Sequence, residues 1–134
     1  MLPALRDRLA SFFSADQRGA IAVYVFGSEA RGESRKDSDV DVGVLFDRAP
    51  EPALTGAALS LASDLEQHLS RPVDVVVLNT APADLVHRVF RDGTIVLDRD
   101  PARRIRFEVA RRNEFFDLQP IYREYRRARS RQLS

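Results

Sequence analysis

Residues 23–46 read VYVFGSEARGESRKDSDVDVGVLF. Both ends look like buried strands: Ala20–Phe26 is short, apolar and partly β-branched, and Val40–Phe46 repeats the pattern. By the two-residue period of a strand, Val40, Val42, Val44 and Phe46 share one face, and Asp39, Asp41, Gly43 and Leu45 share the other. The first face is made for a core, so Asp39 and Asp41 emerge together on the opposite face, near the start of the strand. Two neighbouring carboxylates repel, and burying both without a counter-ion is costly. A divalent cation removes that cost. Hard oxygen ligands suit Mg2+, which takes one or two carboxylates together with substrate phosphates.

Between the two strands, Gly27 and Ser28 follow the first directly and open a short helical turn. Backbone N–H groups at such a turn can hold phosphate oxygens, with the Ser28 hydroxyl as a further donor and Gly27 allowing close approach. Arg31, Arg35 or Lys36 would add positive charge. Downstream, PVDVVVLN places Asp74 inside a Val/Leu run. A carboxylate there needs a partner or a function. If this strand, Val73–Leu78, lies beside the second, Asp74 completes a cluster of three. A phosphate cradle on one strand end and a metal platform on the next describe a nucleoside-triphosphate site.

The rest of the chain supplies helices to cover these strands. Leu2, Leu5, Leu9, Phe12 and Phe13 recur at helical spacing, so residues 3–14 are expected to form an amphipathic helix with Pro3 in its first turn. Ala53–Leu69 carries the stripe Leu54, Ala58, Leu61, Leu65 and Leu69. Pro82 begins a helix bearing Leu85, Val86, Val89 and Phe90, which Gly93 is expected to end as a left-handed cap. Thr94–Leu97 reads as a short strand and residues 101–117 as a helix. Pro120 is expected to interrupt that helix or start another, running to about Arg129. The expectation is one α/β domain over residues 1–134, its sheet packed with helices and residues 101–134 forming C-terminal helices.

Composition bounds the partners. The 134 residues are 44% hydrophobic, enough for one core, and contain no cysteine, which removes disulfides and Cys-based zinc sites. MLPALRDRLASFF is interrupted by charge, unlike a signal peptide, and no apolar run reaches membrane-spanning length, so a cytoplasmic protein without membrane contact is expected. Net charge is only +1, yet residues 1–98 carry 10 basic and 15 acidic side chains and residues 99–134 carry 11 and 5. An acidic body thus carries a basic tail. The tail's Arg are mixed with acids and no RNA-binding motif accompanies them, so direct nucleic-acid binding is not expected. His68 and His87 lack metal-ligand spacing and read as structural.

Gly27-Ser28, ten residues, then Asp39-Val40-Asp41 resembles the signature of the nucleotidyltransferase superfamily related to DNA polymerase β, with Asp74 as a third match. More narrowly, GSEARGESRKDSDVDVGVLFD is similar to minimal nucleotidyltransferase (MNT) domains. PVDVVVLNTAPADLVHRVFRDGTIVLDRD and the segment after it resemble the MntA-type antitoxins that pair with HEPN toxins. The likeness extends over residues 20–128. It implies a polymerase β-like fold, with Asp39 and Asp41 binding two Mg2+ ions, Asp74 touching the catalytic metal and helping to remove the acceptor's proton, and Ser28 contacting the triphosphate. It further implies transfer of AMP from ATP to a hydroxyl, a tyrosine on a HEPN RNase toxin, which neutralises the toxin. Two other readings stay open. One is a small-molecule nucleotidyltransferase of the aminoglycoside-modifying kind, whose additional domain a chain of this length is not expected to hold. The other is an antitoxin acting by binding alone, against which the intact Asp39, Asp41 and Asp74 argue.

Overall fold

The computed structural model describes residues 3–32, 38–50 and 55–133. Its elements are α1 (Pro3–Ala15), β1 (Ala20–Phe26), α2 (Ser28–Arg31), β2 (Val40–Phe46), α3 (Thr55–Leu69), β3 (Val73–Val77), α4 (Ala83–Asp92), β4 (Thr94–Asp98) and α5 (Pro101–Leu133). The strands form one mixed sheet in the order β3-β2-β1-β4. β1 is antiparallel to both β2 and β4, and β2 is parallel to β3, with α3 in the connection. Leu2, Leu54 and the expected start of α3 at Ala53 lie outside the described residues.

Each strand face has its own core. Val23 and Val25 of β1 and Val40, Val42, Val44 and Phe46 of β2 pack against Leu5, Leu9 and Phe13 of α1 and Leu61, Leu65 and Leu69 of α3. On the other face Ala22, Tyr24 and Leu45 meet Val86 and Val89 of α4. Being covered on both sides, β1 shows almost unbroken burial instead of alternation. α5 adds an outer layer on α4: Phe107 meets Phe90 edge-on at 6.0 Å between ring centroids, and Phe115 stacks on His87 at 3.9 Å. The Tyr24 hydroxyl donates to Glu108 on α5, which Arg104 also holds at 3.0 Å. Burial, then the neighbouring Glu108 carboxylate, push the Tyr24 phenol well above its ordinary pKa.

Two expectations need correction. Gly93 is not a left-handed cap: its φ of −83° and ψ of 158° are extended backbone, and α4 runs straight into β4. Glycine is required there for space, since a Cβ would overlap the Val89 carbonyl oxygen and lie 3.4 Å from that of Val25. Nor does Pro120 divide the C-terminal segment. α5 is one helix of 33 residues with Pro120 inside it. An interior proline costs about 3 kcal/mol relative to alanine, but its neighbours are good helix formers, and Arg123 bonds Gln119 at 3.2 Å across it.

Candidate nucleotide and metal site

The antiparallel β1/β2 pairing brings the end of β1 to the start of β2, with Phe26 opposite Asp41. The parallel β2/β3 ladder then sets Asp41 opposite Asp74. Directly paired residues of neighbouring strands point to the same face, and the strands are about 4.8 Å apart. The two carboxylates therefore stand side by side where the chain leaves β1 through Gly27 and Ser28. These four residues line one cavity of about 520 Å³, with Phe26, Val76, Leu85, Arg88 and Asp92 completing its wall.

Gly27 is needed here for two reasons. Its φ of 71° and ψ of −147° fall in a region that only glycine enters freely. Moreover, a Cβ on it would overlap Asp41 Oδ2 and lie 3.2 Å from Asp41 Cγ. The backbone of the turn is thus seated directly against a carboxylate. Ser28 is the first residue of α2 and Gly27 its cap, so the hydroxyl of Ser28 is not used as an N-cap. Glu29 on the same turn is buried and paired with Arg71, just ahead of β3.

The expected residues are not all drawn together. Asp41, Asp74, Gly27 and Ser28 share the cavity. Asp39 is exposed, one position before β2, and is not among the residues lining the cavity. Among the described residues no three His, Asp or Glu side chains are gathered closely enough to hold a metal ion by themselves. Arg31 ends α2, and Arg35 and Lys36 lie outside the described residues. The donor chemistry nevertheless fits Mg2+: two adjacent hard carboxylates facing an open cavity leave coordination positions for water and phosphate, whereas a closed protein cage would not.

Arg88 and Asp92 escaped the sequence reading. With Leu85 they project from one side of α4, at spacings of three and four residues, and that side faces the cavity. Arg91 pairs with Asp92 at 2.9 Å. The available signal was the helical phase: Arg88 lies one position before the buried Val89, on the same side of the helix as Leu85.

The chain resembles known proteins along most of its length. The family model described as "Polymerase beta, Nucleotidyltransferase" matches residues 8–102. The chain is 33% identical over 78 residues to the protein adenylyltransferase MntA of Thermococcus cleftensis, covering 58% of this chain and 76% of that one. Its fold is similar to a toxin–antitoxin crystal structure with AMP-PNP, at a TM-score of 0.78 and 22% identity over 96% of this chain and 98% of the other. It is also similar to a structure of a tri-AMPylated Shewanella oneidensis HEPN toxin in complex with an MNT antitoxin, at a TM-score of 0.75 and 20% identity over the whole of both chains. The structural likeness thus takes in α5, beyond the reach of the family model.

Proposed function

The chain belongs to the polymerase beta nucleotidyltransferase family, and from that premise we propose that it is an adenylyltransferase antitoxin, moving AMP from ATP to a tyrosine hydroxyl of a HEPN RNase toxin. The observation that carries the proposal is the row Gly27-Ser28, Asp41 and Asp74 around one cavity. The names of relatives support this reading: one is a protein adenylyltransferase, and another is an MNT antitoxin bound to an AMPylated HEPN toxin.

In this reading the Gly27–Ser28 turn holds phosphate oxygens through its N–H groups and the Ser28 hydroxyl, with Arg31 adding charge. Asp41 and Asp74 would hold Mg2+ at the cavity, with Asp39 at the entrance of β2 as a further ligand, and the ion would supply charge neutralisation on the phosphates and activation of the attacking oxygen. Asp74 takes the acceptor's proton. The acceptor oxygen forms a bond to the α-phosphorus, the bond from that phosphorus to the bridging oxygen breaks, and pyrophosphate leaves with the electron pair. The chain contributes mainly position, which counts for much in phosphate transfer. Arg88 adds a positive charge to the cavity from α4.

The acceptor arrives on another chain, docked through α5. Ile105, Val109 and Phe116 fall on one side of this helix and are exposed, as is Tyr125, and the segment from Arg99 onward is net basic. Aromatic residues and Arg dominate protein interfaces. The test uses ATP labelled on the α- or the γ-phosphate, with Mg2+ and the product of the neighbouring gene as the candidate partner. The α-label should move to the partner and the γ-label should leave with pyrophosphate. Transfer of the γ-label instead would reject adenylyl transfer.

A further inference from the structure

Among the described residues Glu29 is the buried charge, 3% exposed, and Arg71 is its partner. The same Arg71 nitrogen, Nη2, also donates to the Ser38 carbonyl at 2.8 Å. One guanidinium therefore touches the turn that carries Ser28 and the residue that precedes Asp39. The next residue acts on the other side of Asp39: the Pro72 carbonyl accepts from the Val40 N–H at 2.9 Å. Asp39 is exposed, yet the residues before and after it are both tied to the segment that leads into β3 and Asp74. An exposed residue at a strand entrance has little packing of its own to fix it. Here the fixing comes from Arg71 and Pro72.

We propose that Arg71 is a positioning residue that locks the Ser28 turn and the Asp39 entrance of β2 to the Asp74 strand, holding the phosphate cradle and the carboxylates in one register. The proposal rests on the nucleotidyltransferase reading, and it assigns Arg71 no contact with substrate. A buried ion pair is a poor way to gain stability, since well-packed apolar residues often replace such a pair at no loss. That fact separates positioning from support. Arg71→Met alone leaves Glu29 buried without its partner and should lower both the Tm and the rate. Glu29→Leu with Arg71→Met removes both charges, so the Tm should return to about the wild-type value. In that double variant the cradle stays packed, whereas the Ser38 carbonyl has lost its donor.

Three quantities are read on the full chain. For the double variant we expect an affinity for Mg2+ with AMPCPP, a non-hydrolysable ATP analogue, within about threefold of wild type. We expect a kcat about ten- to a hundredfold lower, in line with the cost of misplacing a reacting group. In metal-free protein the Val40 amide should exchange at least about tenfold faster, because it lies in the freed entrance. A double variant with wild-type Tm, kcat and Val40 exchange overturns the proposal. If the double variant does not fold, Arg71→Lys decides in its place. Its ammonium ends one bond short of the position of Nη2, which meets both partners. The charge attraction to Glu29 acts at longer range and is largely kept, whereas the short-range bond to Ser38 is lost. Near-wild-type Tm with lowered kcat and faster Val40 exchange therefore supports the lock, and wild-type values of both overturn it. Loss of transfer by the wild-type protein itself would strike the nucleotidyltransferase reading and leave the exchange result to judge the lock.

Discussion

Replacing Gly27 by alanine adds one methyl group at the point where the phosphate turn meets the Asp41 carboxylate. Two costs follow. The backbone at φ 71° and ψ −147° is close to a region that side chains avoid, and holding a non-glycine residue in such a conformation costs about 1–3 kcal/mol. For a domain of this size each kcal/mol lowers the Tm by roughly 2–8 °C. The second cost falls on function, because the new Cβ would coincide with Asp41 Oδ2, and one of the two must move. A carboxylate displaced by about 1 Å is enough to lower a rate by about 100-fold. Gly27→Ala should therefore melt several degrees lower by circular dichroism, bind Mg·AMPCPP more weakly by calorimetry, and transfer AMP at least about 100-fold more slowly. A variant that melts lower but keeps wild-type nucleotide affinity and transfer would remove the cradle from the account, because the overlap with Asp41 would then have no chemical consequence.

Further outcomes follow from neighbouring contacts. Asp74→Asn should abolish transfer yet stabilise the metal-free protein by about 0.2–1 kcal/mol, since like charges directly opposite on paired strands repel; urea titration checks this. Tyr24 has a raised pKa in the folded state, so its contribution is fully present below the unfolded value and is lost as pH rises beyond about 10. Tyr24→Phe should flatten the decline in stability above that pH and lower stability at neutral pH by about 1–3 kcal/mol through loss of the bond to Glu108, as read by melts across pH. Ending the chain before Pro120 leaves the His87–Phe115 and Phe90–Phe107 contacts in place. It should therefore spare the fold while slowing association with the toxin at low salt, measured by stopped flow.

The strands were legible because their boundaries are chemical. β1 and β2 begin and end where apolar runs meet glycine, serine or charge, and both were read to the residue. The position of Asp74 beside Asp41 was legible only as a condition, because strand order is set by how α3 packs its connection and not by either strand's own sequence. Gly93 was misread because a glycine after a helix has two possible causes, a positive φ or a close approach, and the one letter serves both. Pro120 was misread because local propensity weighs one lost hydrogen bond heavily, while a 33-residue helix spreads that loss over many turns. Arg88 was missed because an arginine beside an apolar helix stripe looks like any solvated one until the cavity behind the sheet end is seen. Asp39 was expected to stand with Asp41 by alternation alone. The fold leaves it exposed at the entrance of β2 and ties its neighbours to residues 71 and 72.

The central claim is that the carboxylates of this cavity drive adenylyl transfer to a protein partner. Its most direct measurement is the intact mass of the neighbouring gene's product, the candidate partner, after incubation with ATP, Mg2+ and either the wild-type chain or Asp41→Asn. The partner should become heavier by one or more AMP units with the wild type and stay unchanged with Asp41→Asn. An unchanged partner with the wild type, or equal modification by both, would contradict it.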